Sequence, residues 1–147
     1  MLSNDRKRIL LVEDNPHDAA LTISALKASD LPLDVDAVGD GEDALDYLFR
    51  RGAYKERIDL NPNLILLDLK MPKLGGVETL QQIKSDERLR LLPVVMLTSS
   101  REPQDLRTCY QLGVNGYVVK PVDAKHFMSA LRALAHYWLS ANESLLP

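Results

Sequence analysis

The sequence is short of the residues on which several chemistries depend. It contains one cysteine, Cys109, which cannot close an internal disulfide and so fits a reducing compartment. Cys109 stands in a helical stretch among apolar neighbours and reads as an inert core or boundary residue. The three histidines, His17, His126 and His136, are scattered without the spacing of a metal site and read as surface residues. No apolar run approaches the roughly 18 residues that span a bilayer, and Met1 to Arg8 is polar where an export signal needs an apolar stretch. The expectation is a cytoplasmic protein that does not engage a membrane. Excess charge is lacking too. The net charge is −3 and the basic residues form no long block, so a DNA partner bound by bulk electrostatics is not expected.

What is present is ordinary globular material. Hydrophobic residues make up 46% and charged residues 27% of 147, enough for one core. Short apolar runs alternate with helical patterns, the signature of βα units feeding a parallel sheet. Ile9 to Val12 is the first strand; Asn15 and Pro16 open a helix that runs to about Ala28. Val35 to Val38 is a weaker edge strand. Asp40-Gly41 precedes a helix with Ala44, Leu45, Leu48 and Phe49 on one face and Gly52 as its stop. After the longest loop, residues 52–63, comes the most apolar strand, Leu64 to Leu67, ending on Asp68. Val77, Leu80 and Ile83 mark a third helix, Pro93 to Leu97 a fourth strand ending at Thr98, and Pro103 begins a fourth helix that ends before Gly113. Tyr117 to Val119 is the fifth strand, ending at Lys120-Pro121. Asp123 caps a last helix whose Phe127, Leu131, Leu134 and Trp138 form the buried face. The pattern predicts an α/β fold of five strands and five helices, with no internal repeat and no linker to a second domain.

In open parallel sheets ligands collect at the carboxyl ends of the strands, beside the point where strand order reverses. Glu13-Asp14, Asp68, Thr98 and Lys120 all terminate strands and should converge there. Crowded carboxylates raise one another's pKa unless a cation sits among them, and oxygen ligands suit a hard ion such as Mg²⁺. Asp68 is placed as a carboxylate nucleophile toward phosphorus. Lys120 and the Thr98 hydroxyl are placed to stabilise the transferring group.

These residues resemble the receiver domains of bacterial response regulators. The motifs that carry the likeness are Leu10-Leu11-Val12-Glu13-Asp14, Leu66-Leu67-Asp68-Leu69-Lys70-Met71-Pro72, Val95-Met96-Leu97-Thr98-Ser99 and Gly116-Tyr117-Val118-Val119-Lys120-Pro121. The resemblance covers about residues 7–139 and implies one receiver domain over 1–147 with no output domain. It further implies a doubly wound, flavodoxin-like sheet of order 2-1-3-4-5 with helices on both faces. By it, Asp68 is the phosphoacceptor, with Thr98 and Lys120 the other catalytic residues. Glu13, Asp14, Asp68 and the Lys70 carbonyl bind Mg²⁺, Thr98, Tyr117 and Pro121 form the switch, and Lys120–Pro121 is cis. A sensor histidine kinase is the implied phosphodonor, and the face of helix four, strand five and helix five the implied readout. Lys70 stands where many receivers carry a neutral residue, which bears on the rate of aspartyl-phosphate hydrolysis.

A narrower likeness rests on Gly52-Ala53-Tyr54, on Pro62-Asn63-Leu64-Ile65-Leu66-Leu67-Asp68-Leu69 and on Tyr137-Trp138-Leu139. It is to single-domain regulators paired with phytochrome kinases, so a bacteriophytochrome is the implied partner. Ala130, Ala133 and Tyr137 form a second stripe on the last helix, suited to a homodimer. Two other functions stay open. A dehalogenase-type aspartyl-phosphate hydrolase also uses a strand-end Asp, but needs a second acid at the position of Lys70. A pseudo-receiver that is never phosphorylated would be a binding module, though every expected site residue is present. The favoured reading is a phosphoacceptor, not an enzyme acting on a separate substrate.

Overall fold

The computed structural model describes residues 6–121 and 123–145. Five parallel strands, β1 (Lys7–Val12), β2 (Leu33–Val38), β3 (Leu64–Leu67), β4 (Val94–Thr98) and β5 (Gly116–Val119), lie in the order β2-β1-β3-β4-β5. The order reverses between β1 and β3, which opens the crevice that such sheets use for ligands. The helices are α1 (Pro16–Lys27), α2 (Gly41–Phe49), α3 (Gly76–Ser85), α4 (Pro103–Gln111) and α5 (Ala124–His136).

Strand periodicity decides which helix meets which face. Leu10 and Val12 of β1, Ile65 and Leu67 of β3 and Met96 of β4 join Ala44, Leu45, Leu80, Ile83 and Cys109 of α2, α3 and α4 in one core. Ile9, Leu11, Leu64, Leu66, Val95 and Leu97 point the other way, onto Leu26 of α1 and Phe127, Leu131 and Leu134 of α5. All four residues of β3 are therefore fully buried, which explains why its sequence does not alternate. No described helix is long and apolar enough to cross a membrane.

Side-chain caps set three helix starts: Asn15 accepts from the Asp18 N–H, Asp40 from Asp43 and Asp123 from His126. Three local expectations fail. α2 stops not at Gly52 but at Arg50, in the left-handed region at φ 57°. Its guanidinium compensates by donating to the carbonyls of Arg57 and Asp59, and Gly52 instead opens a 3₁₀ turn, Gly52–Tyr54. The last helix widens into a π turn over Tyr137–Ala141, closed by the Asn142 N–H on the Tyr137 carbonyl at 2.6 Å. The extra residue per turn shifts the phase, so Leu139 is buried where the α-helical count placed Trp138, and Trp138 is only partly covered. Finally, no described peptide bond is cis. Lys120–Pro121 takes the trans form, favoured intrinsically by about 0.5–1 kcal/mol.

Candidate functional site

The register brings the polar strand ends to one place. Val12 pairs with Leu67, Leu67 with Met96, and Thr98 with Val119, so the residues that follow emerge along the same edge of the sheet. Carboxylate oxygens of Glu13, Asp14 and Asp68 all lie within 4.8 Å of one another. Asp14 is exposed, Asp68 half-buried and Glu13 buried, so the cluster opens to solvent on one side.

Asp68 sits in an unfavourable electrostatic position. Burial and the neighbouring Glu13 push its carboxyl up to about 6, against the opposing pull of Lys120 and of the Leu69 N–H, which donates to Asp68 Oδ1 at 2.8 Å. A group poised there keeps its charge at neutral pH and remains basic enough to act as a nucleophile. The site's ammonium, Lys120 Nζ, lies 2.8 Å from Glu13 Oε1, 3.3 Å from Asp18 Oδ2 and 3.9 Å from Asp68 Oδ2. Burial works against its charge, but the hydrogen bond it donates to Glu13 and the surrounding acids hold its pKa above the ordinary lysine value.

The remaining expected residues are accounted for in turn. Thr98 is 2% exposed, and its hydroxyl oxygen accepts from the Ser100 N–H at 3.2 Å. Its proton is therefore the part left for a ligand. Lys70 has an exposed side chain in the bend that follows Asp68. Tyr117 is half-buried against the α4 side of the core, and its hydroxyl donates to the Ser100 carbonyl at 3.0 Å. Pro121 follows Lys120 at the partly covered end of β5.

Backbone packing fixes the acceptor loop. A Cβ on Gly76 would lie 2.2 Å from the Asp68 carbonyl oxygen and 2.7 Å from Leu69 Cα, so only glycine fits. The Gly76 N–H in turn donates to Leu69 O at 2.8 Å. Further along, Lys73, at φ 62°, pairs with Asp40 at 3.7 Å.

Sequence reasoning missed Asp18. It lies on the first turn of α1, three residues after the Asn15 cap, where an acid reads as a helix-end stabiliser. The only cue was an acid one turn beyond Glu13-Asp14, on a helix leaving the same strand end.

The family model described as "Response regulator receiver domain" matches residues 9–132. The chain is 40% identical over 137 residues to the probable methanogenesis regulatory protein FilR2 of Methanothrix harundinacea, covering 92% of this chain and 86% of that one. It is 38% identical over 137 residues to the response regulator Rcp1 of Synechocystis, covering 93% and 92%. The crystal structure of Rcp1 in its Mn²⁺-bound form matches with TM-score 0.87, at 36% identity and 94% and 98% coverage. The bacteriophytochrome response regulator RtBRR matches at 52% identity and TM-score 0.76, covering 93% of this chain and 82% of that one.

Proposed function

This chain belongs to the response regulator receiver family, and from that premise we propose that it works as a stand-alone receiver, accepting a phosphoryl group from a sensor histidine kinase onto Asp68. The observation that carries the reading is the half-buried Asp68 carboxylate held beside Glu13 and Asp14, with their oxygens within 4.8 Å of one another and one ammonium 3.9 Å away.

The donor set fits a hard divalent cation, since it is all oxygen and carries more negative charge than Lys120 offsets. Mg²⁺ is the cofactor; Glu13, Asp14, Asp68 and the Lys70 carbonyl would hold it, and it would supply positive charge beside the transferring group. An Asp68 carboxylate oxygen attacks phosphorus. The O–P bond forms as the P–N bond of the kinase phosphohistidine breaks, and the imidazole leaves with the electron pair. Lys120 compensates charge on the phosphoryl oxygens and Thr98 donates its hydroxyl proton to one of them. The same site returns the phosphoryl group to water, so the chain is a phosphoacceptor with self-catalysed chemistry, not an enzyme with a separate substrate. Against the dehalogenase-type reading, Lys70 stands where that chemistry needs a second acid.

Thr98, Tyr117 and Pro121 form the switch, read through α4, β5 and α5. In support, the Tyr117 hydroxyl already bonds the loop that follows Thr98. A homodimer through α5 is supported by the outward stripe in which Ala133 and Tyr137 are exposed and Ala130 is half-covered. A bacteriophytochrome is the proposed kinase, on the likeness to RtBRR, and the cytoplasm the proposed compartment.

The test is labelling by acetyl phosphate and by a kinase, with Mg²⁺ or with chelator. A base-labile adduct on Asp68 that requires Mg²⁺ is expected. An intact protein that takes no label from either donor would instead be a binding module of receiver shape. Sedimentation showing only monomer at high micromolar concentration, with and without a phosphoryl mimic, would remove the dimer.

A further inference from the structure

Asp18 is placed oddly for the role its position suggests. An acid three residues after an N-cap ordinarily reaches back to the cap's own N–H, closing a reciprocal box. Here that N–H is already taken, because Asn15 N donates to Glu13 Oε2 at 3.2 Å. Asn15 Oδ1 meanwhile accepts from the Asp18 N–H at 2.9 Å, which completes the cap without the Asp18 carboxylate. The Asp18 side chain, left with no helix donor, crosses to Lys120 Nζ at 3.3 Å, a contact between residues 102 apart in sequence. Lys120 is thereby held on the α1 side of the cleft, bonded to Glu13 and Asp18 and 3.9 Å from Asp68, beyond hydrogen-bond reach.

We infer that Asp18 is a positioning residue that acts through Lys120, holding the ammonium away from Asp68 and competing for it with the phosphoryl group. Resting on the receiver reading above, this assigns Asp18 two effects. It keeps the ammonium beyond hydrogen-bond reach of Asp68 Oδ2, and it makes the incoming group displace one partner of Lys120 before gaining the contact. Asp18 touches neither the reacting atoms nor the phosphoryl group.

The probe is beryllofluoride with Mg²⁺, an anion that ligates a carboxylate oxygen as a phosphoryl group does, with binding followed by fluorine NMR. Relative to wild type, Asp18→Asn and Asp18→Ala are expected to bind it roughly twofold to fivefold more tightly, the scale of a partly exposed ion pair. Asp18→Glu should stay near wild type. Repeating Asp18→Asn in a Lys120→Met background separates a contact through Lys120 from a general charge effect. Under the inference the gain vanishes there. An unchanged affinity in Asp18→Asn, or the same gain with and without Lys120, overturns it. Failure of wild type to bind beryllofluoride at all would count against the receiver reading instead. Thermal melts of each variant check that the α1 cap survives.

Discussion

The two ends of the sheet treat charge differently. At the carboxyl end, Glu13, Asp18 and Asp68 share the ammonium of Lys120, with Asp14 beside Glu13 and Asp68. At the amino end, Arg6 and Arg8 pair with Asp34 and Asp36, and two further cations, Lys84 and Arg57, are held mainly by neutral dipoles. Lys84 Nζ donates to the carbonyls of Arg90 and Leu92 and to Asn115 Oδ1 at 2.9–3.1 Å. Arg57 donates to Tyr47 O at 3.1 Å and Asn61 Oδ1 at 3.0 Å, with its guanidinium 4.0 Å from the Tyr47 ring centre. Burial lowers the pKa of Lys84 and Arg57 below their ordinary values, because no acid dominates their surroundings. The amino end has its hydrogen bonds made and serves the fold. The carboxyl end keeps like charges together and is complete only with a cation and an incoming group.

The largest expected effect tests whether the crowded end is the functional one. Asp68→Asn, nearly isosteric but a poor nucleophile, should abolish labelling by any phosphodonor while far-UV circular dichroism stays unchanged. Undiminished labelling would put the acceptor elsewhere. Next in size is the response to the divalent cation. Mg²⁺ at a hundred times its dissociation constant should stabilise the wild type by about 2.7 kcal/mol, read as a rising melting temperature, and Asp14→Asn should blunt the rise. A melting temperature indifferent to Mg²⁺ would mean that the carboxylates partner something else.

The amino end gives the converse. Lys84→Met should cost about 1–2 kcal/mol in urea denaturation, since the carbonyls of Arg90 and Leu92 lose their donor. It should leave the labelling rate as it was. A slowed rate would break the division between the two ends.

The smallest effect is a pH dependence. The folded-state pKa of Asp68, about 6, stands above its ordinary 3.8, so the folded protein holds that proton more tightly than the unfolded chain does. Stability from this group is therefore lost as pH rises from about 4 to 6 and stays lost above. In chelator, Asp68→Asn should match wild type near pH 4 and exceed it by ~1 kcal/mol at pH 7.5, part of the ~1.4 kcal/mol per unit surviving solvent at the open cleft. Equal stability at both pH values would mean that the crowding carries no cost.

Strand ends were legible in sequence because four of the five apolar runs stop on a polar residue, and a parallel sheet sends all such stops to one edge. That logic located Glu13, Asp14, Asp68, Thr98 and Lys120. It could not reach Asp18, whose partner lies 102 residues away and whose position has an adequate local explanation as a helix-end acid. Lys84 was equally silent, since a lysine that donates to carbonyls leaves no complementary acid to notice. The π turn at Tyr137–Ala141 escaped because periodicity counts assume a constant pitch. Arg50 escaped because a left-handed residue is sought among glycines, and its compensation lies in guanidinium contacts seven and nine residues on.

Gly76 has a mechanical consequence. With backbone against backbone at the Asp68 carbonyl, the acceptor loop is a stiff strut: its neighbour has no side chain to rotate away, and helix α3 stands directly behind it. The opposite wall is compliant by comparison. There Ser100 is tethered by the Tyr117 hydroxyl on its carbonyl and by its own hydroxyl on Asp105, 2.6 Å away, side-chain contacts that can break one at a time. On the proposed receiver reading, a load at the Asp68 carboxylate would meet the strut and be taken up across the cleft.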